Sequence, residues 1–301
     1  MKRREFIQKS ALATLAAGAY TLPLMSFTTN RTKHITILHT NDTHSHIDPF
    51  APTDSKYPNK GGIARRATLV EQIRKENPNT LLLDAGDIFQ GTPYFNYYGG
   101  ELELRLMSMM NYDASTLGNH EFDNGLEGIL APLPNATFDF INSNYDFSNT
   151  ILDGYIKKYK IFTVDRVKIG IFGLGVQLDG LVSKANYKET VYLDPIEIAQ
   201  DMTRILKNEK KCDMIICLSH LGYQYNTNQV SDLVLAEKTR DIDLIIGGHT
   251  HTFLSKPTVV KNMDEKDVII NQVGCFGINL GRIDFYLESD KTNTQSKVIE
   301  I

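Results

Sequence analysis

The sequence predicts an α/β fold whose functional site lies at the carboxyl ends of buried strands. Short, continuous apolar runs recur at residues 35–38, 81–83, 214–218 and 244–246, the pattern of strands buried on both faces. Each run passes within a few residues into Asp or His. Between them lie stretches with helical apolar spacing, such as Ile63, Ala67, Val70 and Ile73. In open α/β sheets the ligand site lies outside the carboxyl ends of the strands, so these polar ends have a physical reason to converge.

The densest polar end is Gly118-Asn119-His120-Glu121-Phe122-Asp123. It cannot be a buried strand, because its polar groups would be left unpaired. Alone it reads equally well as a polar surface loop. It is matched, however, by Asn41-Asp42-Thr43-His44, Asp84-Ala85-Gly86-Asp87, Ser219-His220 and Gly247-Gly248-His249-Thr250-His251. Asp and His are good ligands for zinc, manganese or iron, and an Asn carbonyl is a weaker one. Asp42 and His44 are two residues apart, as are His249 and His251, so a local turn can aim both members at one ion. Asp87 can bridge two ions through its two oxygens. Of the remaining histidines, His34 and His39 read as surface or satisfied core groups, and His46 as lining the mouth. Asp84 reads as a hydrogen-bonding support of its loop.

The other elements follow in chain order. Residues 1–30 read as an export signal. A basic start at Lys2, Arg3 and Arg4 precedes an apolar stretch too short for a confident membrane span, and Arg3-Arg4-Glu5-Phe6-Ile7 resembles a twin-arginine address. Residues 31–301 then form one catalytic domain. Residues 49–62, polar with Pro and Gly, read as a loop near the site. Helices are expected over 63–75 and 101–110, the second burying Leu102, Leu106, Met109 and Met110. A strand is expected at 138–141. Residues 160–164 and 167–172 form a hairpin about Asp165-Arg166. Pro195 opens a helix carrying Ile198, Met202 and Ile205, and late strands lie at 268–273 and 283–287. The aromatic group nearest a motif is Phe89 with Tyr94, Phe95, Tyr97 and Tyr98, expected to serve mainly in packing.

Composition narrows the function. The formal net charge is −4, and it becomes more negative without the basic signal. No basic patch suggests a nucleic-acid polymer as partner, and no second long apolar run suggests a stable membrane span. A phosphate site in an acidic chain needs its own positive charge, which bound metal would supply. Cys212, Cys217 and Cys275 are too few and too poorly placed for a disulfide framework, and they read as small buried hydrophobes.

Taken together, Asp42-Thr43-His44, Gly86-Asp87, Gly118-Asn119-His120-Glu121, His220 and Gly248-His249-Thr250-His251 resemble the calcineurin-like metallophosphoesterases. Asn41-Asp42-Thr43-His44-Ser45-His46 and Asn119-His120-Glu121-Phe122-Asp123 resemble their 5′-nucleotidase branch. The resemblance implies a four-layer α/β/β/α sandwich of two mixed sheets. It implies one metal held by Asp42, His44, Asp87 and His251, and a second by Asp87, Asn119, His220 and His249. His120 and Asp123 correspond to the family's catalytic dyad, with Asn119 and His120 also touching substrate. The implied reaction is attack of a metal-bound hydroxide on a phosphate ester, and the signal at residues 1–30 makes the expected location periplasmic or otherwise exported.

Members of that branch usually carry a C-terminal domain whose aromatic residues stack on the base, and none is legible before Ile301. The expectation is a separately encoded nucleotide-binding partner, or a smaller phosphate ester as substrate. Three readings stay open: a nucleotide phosphomonoesterase; a cyclic-nucleotide phosphodiesterase or thiosulfohydrolase-like enzyme on the same fold; and a catalytically inactive metal-binding or scaffold protein.

Overall fold

The computed structural model describes residues 32–288 and 292–301; the expected export signal lies outside them. The strands in chain order are β1 (Lys33–Thr40), β2 (Thr80–Asp84), β3 (Ala114–Ser115), β4 (Asp139–Phe140), β5 (Tyr145–Asp146), β6 (Tyr159–Val164) and β7 (Val167–Gly175). They continue with β8 (Val191–Tyr192), β9 (Met214–His220), β10 (Leu244–Gly247), β11 (Thr258–Lys261), β12 (Asp267–Asn271), β13 (Asn279–Leu287) and β14 (Thr292–Glu300). The helices are α1 (Ile63–Glu76), α2 (Pro93–Tyr98), α3 (Glu101–Met109), α4 (Gly125–Leu130), α5 (Lys184–Tyr187), α6 (Pro195–Arg204) and α7 (Asp232–Glu237).

Two six-stranded mixed sheets form, in the orders β14-β13-β1-β2-β3-β4 and β11-β12-β10-β9-β7-β6. The site-bearing strands run parallel: β1 with β2, β2 with β3, and β10 with β9. Their carboxyl ends therefore emerge on the same side of each sheet.

Side-chain alternation explains the continuous apolar runs. Ile35, Ile37 and Leu83 of the first sheet meet Ile171, Ile216 and Ile246 of the second in a shared core. The alternate residues face outward: Leu38 and Leu82 pack with Val70, Ile73 and Leu104 of α1 and α3, while Ile215, Cys217 and Ile245 pack with Ala199 and Met202 of α6. The layers are thus α/β/β/α, as the resemblance implied.

Local chemistry fixes the element ends. The Asp194 carboxylate accepts the Ile196 and Glu197 N–H groups at the start of α6, with Pro195 in the first turn. Asp165 and Arg166 both take positive φ, which closes the β6–β7 hairpin. At the other ends of the strands, Asp113, Asp213 and Asp243 each accept a backbone N–H from a neighbouring strand, those of Leu82, Lys168 and Ile215. An open cleft between the sheets at those same ends, lined by Lys33, Asp213, Asp243 and Asp267, is remote from the Asp/His motifs.

One expectation about α3 fails. Met109 is 78% exposed, while Met110 is buried as expected and Leu104, Met107 and the Glu103 side chain share the buried face. The expected strand at 138–141 shrinks to the two residues of β4, with Ile141 in an isolated bridge to Lys157. All three cysteines are buried and free. Among the described residues, no helix is long and apolar enough to cross a membrane.

Candidate metal centre

Five strands deliver the polar motifs to one place. The turn after β1 carries Asp42 and His44, and the turn after β2 carries Asp87. Asn119 and His120 follow β3, His220 ends β9, and His249 and His251 follow β10. Three overlapping groups of potential metal donors result: Asp42, His44 and His251; His44, Asp87 and His120; and Asp87, His220 and His249, with donor atoms in each group within 4.8 Å of one another. His44 and Asp87 each belong to two of the three, and of these only the carboxylate has two oxygens with which to bridge.

The imidazoles are oriented for coordination. His220 Nδ1 donates to the Ala85 carbonyl at 2.7 Å, which turns Nε2 towards Asp87 Oδ2 at 3.0 Å. His44 Nδ1 lies 3.3 Å from the Phe89 carbonyl, and its Nε2 faces Asp42 Oδ1 at 4.0 Å and Asp87 Oδ2 at 3.9 Å. Such outer hydrogen bonds fix the tautomer of a metal-binding His. His44 Nε2 and His251 Nε2 point at each other across 2.9 Å, and His251 Nε2 lies 3.4 Å from Asp42 Oδ1.

The donor set fits two cations. The Asn119 Oδ1 is buried without a hydrogen-bond partner, a costly state for an amide oxygen that a cation would relieve. Burial opposes charge on His220, yet Asp87 beside it raises its pKa to about 10. Burial would likewise raise Asp87, but the imidazoles of His220, His44 and His120 outweigh it and hold the carboxyl well below the usual range. Without a cation these groups pair with each other; ligation would release the protons they share.

The backbone is bent to make this possible. Asp42, His44, Asp87, His249 and His251 all have φ between 47° and 72°, a region that non-glycine residues rarely occupy and that concentrates at functional sites. Gly118 is required by close approach: a Cβ there would lie 2.2 Å from Asp87 Oδ1. Asp84 supports its loop as expected, accepting from the Gly86 N–H, the Ser115 hydroxyl and the Thr40 hydroxyl.

His120 and Asp123 form a pair at the edge of the site. His120 Nδ1 lies 2.8 Å from Asp123 Oδ2, and this hydrogen bond is the main reason the His120 pKa is raised. The His120 ring stands edge-on to His44, with centroids 5.2 Å apart, and its backbone N–H donates to Asp87 Oδ1 at 2.8 Å. Dyad and candidate ligands are therefore joined through a single carboxylate.

Sequence reasoning missed several supports. The buried Glu121 carboxylate accepts four backbone N–H groups, from Asp87, Ile88, Phe89 and Gly118, at 2.6–3.3 Å. It locks the turn carrying Asp87 to the turn carrying Asn119 and His120. Gln272 does the same for the His249–His251 turn, donating to the Gly248 carbonyl and accepting from Thr250 and Thr252. The aromatic side chains nearest the centre are not those at 89–98. Phe89 and Phe95 are buried against each other, and Tyr97 is 86% exposed. The aromatic ring beside both His44 and His251 is instead Phe276, which packs with His46, Phe50 and Tyr57, and Tyr57 in turn with Phe253. Phe253 and Phe276 each stand next to a motif or a glycine turn, the one signal that could have found them.

The family model of the calcineurin-like phosphoesterases matches residues 35–253. The chain is 35% identical to rat 5′-nucleotidase over 300 residues, 93% of this chain and 50% of that protein. It is 36% identical to the trifunctional nucleotide phosphoesterase YfkN of Bacillus subtilis over 297 residues, 86% of this chain and 19% of that protein. The 5′-nucleotidase precursor of Thermus thermophilus superposes with a TM-score of 0.82 at 34% identity, covering 89% of this chain and 55% of the other. The chain thus spans about half the length of most of these relatives, and less of YfkN.

Proposed function

Because the chain belongs to the calcineurin-like phosphoesterase family, we propose that it hydrolyses phosphate monoesters, nucleotides among them, at a centre of two divalent ions. The observation that supports this reading is that Asp87 shares one candidate donor group with His44 and another with His220 and His249. Asp42, His44, Asp87 and His251 hold one ion; Asp87, Asn119, His220 and His249 hold the other. When bound, the ions supply Lewis-acid charge at the phosphoryl group and acidify water. Zinc, manganese and iron all suit this donor set.

The chain's own groups do the rest. Asp123 takes the Nδ1–H of His120 and so fixes the imidazole, leaving Nε2 to face the substrate. The Asp123 hydrogen bond raises the His120 pKa and so favours a proton on Nε2, where it offsets charge on the phosphoryl oxygens or passes to the leaving oxygen. Asn119, through its amide nitrogen, and His120 position the phosphate. Residues 1–30 direct export to the periplasm through a twin-arginine signal.

The test is phosphate release from the purified chain with added manganese or zinc, on nucleoside monophosphates, a bis-ester, a cyclic nucleotide and a thiosulfate ester. Turnover confined to the bis-ester, the cyclic nucleotide or the thiosulfate ester would overturn the monoesterase reading. No turnover on any of them would favour an inactive scaffold.

A further inference from the structure

We propose that the rings of Phe276, Phe50, Tyr57 and Phe253, with His46, form a stacking wall that receives the planar ring of the substrate's leaving group. The proposal rests on the monoesterase reading and adds the class of alcohol that the site prefers.

The wall begins at the candidate metal ligands. The Phe276 ring lies 5.9 Å from both His44 and His251, centroid to centroid. His46 stacks on Phe50 at 4.8 Å and touches Phe276 at 4.4 Å. Tyr57 continues the surface, 5.4 Å from Phe50, 6.1 Å from Phe276 and 6.2 Å from Phe253. A phosphate clamped at the ligands must project its alcohol outward. The His251 side chain is 37% exposed, so the Phe276 side of the centre is open to solvent.

Two features show that the rings are held in place rather than merely collapsed together. Phe276 has φ 61°, a strained conformation for a bulky residue. Its N–H donates to the Asp42 carbonyl at 2.7 Å, so the wall is fastened to a ligand-bearing turn. The Phe253 ring lies flat over Gly274, where a Cβ would come within 2.2 Å of it. Phe253 is nevertheless 46% exposed.

Stacking on aromatic side chains binds any base, because every base has a π-face, and it reads none of them. The wall therefore predicts a preference for esters that carry a base over those that do not, with little choice among bases. Adenosine 5′-monophosphate and ribose 5-phosphate share phosphate and sugar and differ only in the base. With the full chain and manganese, kcat/KM should favour adenosine 5′-monophosphate by roughly tenfold, mostly through KM. Phe253→Ala should bring that ratio towards one, and Phe253→Tyr should restore it. A ratio near one in the unsubstituted chain, or a ratio that Phe253→Ala leaves unmoved, would overturn the wall. Adenosine itself should show line broadening in ligand-observed NMR with the unsubstituted chain and lose it with Phe253→Ala. Turnover of neither ester would sink the monoesterase reading instead, and the adenosine measurement would still decide the wall: equal broadening, or none, with both chains would overturn it.

Discussion

Asp87 Oδ2 and His220 Nε2 meet at 3.0 Å, one delivered by β2 of the first sheet and the other by β9 of the second. Two parallel strands in separate sheets thus finish on a shared point, and the donor groups gather around it. Asp87→Asn removes the charge that holds this junction together and leaves a single carbonyl oxygen where two cations need one each. Both ions should be lost together. Elemental analysis finding two ions per chain in an inactive Asp87→Asn protein would count against the bridge.

His120 stands outside both proposed ligand sets, and Asp123 takes up its Nδ1, so its replacement should spare metal content. His120→Asn should lower turnover by roughly 10²–10⁴-fold, the usual worth of a positioned acid or base. An aryl phosphate, whose leaving group needs little protonation, should lose less than a nucleoside monophosphate if His120 protonates the ester oxygen. Equal losses would assign it to charge on the phosphoryl oxygens. Undiminished rates would remove it from the reaction.

Glu121→Gln tests the clamp between the two turns. The amide keeps one acceptor oxygen and turns an NH2 group towards backbone N–H donors that previously found a carboxylate. Buried donors left unpaired cost on the order of 1–3 kcal/mol each, so the denaturation midpoint of the metal-free chain should fall. Metal affinity should weaken as well, because Asp87 and Asn119 lose their shared anchor. An unchanged midpoint together with unchanged metal affinity would show that the turns hold without the clamp.

His39 gives the chain a specific acid sensitivity. Burial alone lowers its pKa from 6.5 to about 3, and the Asn271 amide donates to its Nε2 at 2.9 Å. The unfolded chain therefore binds a proton at higher pH than the folded chain. The favourable term is complete above pH 6.5 and is lost as pH falls towards 3. Thermal melts from pH 7 to pH 4 should show a decline that His39→Gln reduces. An identical slope in both proteins would place the acid sensitivity elsewhere.

The residues that converge at the candidate centre were legible because metal chemistry leaves few choices of side chain, and because parallel strands must end where their site is. Asp42, His44, Asp87, His220, His249 and His251 could be picked from the punctuation of apolar runs. Only the family resemblance, however, divided them between two ions. The two-sheet architecture came from the resemblance too: a run such as residues 214–218 shows that both faces are buried, without showing whether a helix or a second sheet covers them. Glu121 was invisible as a clamp, since its partners are backbone N–H groups, which sequence does not distinguish. Met109 was misplaced because α3 turns a charged residue inward, which periodicity alone does not anticipate. The aromatic wall was missed because Phe50, Phe253 and Phe276 come from three distant segments.

Folding by itself does little to protect His249. Glycine suits a left-handed φ better than histidine does, so exchanging His249, at φ 72°, would relieve about 1–2 kcal/mol of backbone cost. Glycine's extra freedom in the unfolded chain would offset about 0.5–1 kcal/mol of that. The folded state would lose little or even gain, while a ligand disappeared. A screen that selects variants for solubility or heat resistance would accept such a change without registering it. In any such collection the melting temperature is a poor guide to an intact centre, and stoichiometric metal is the better one.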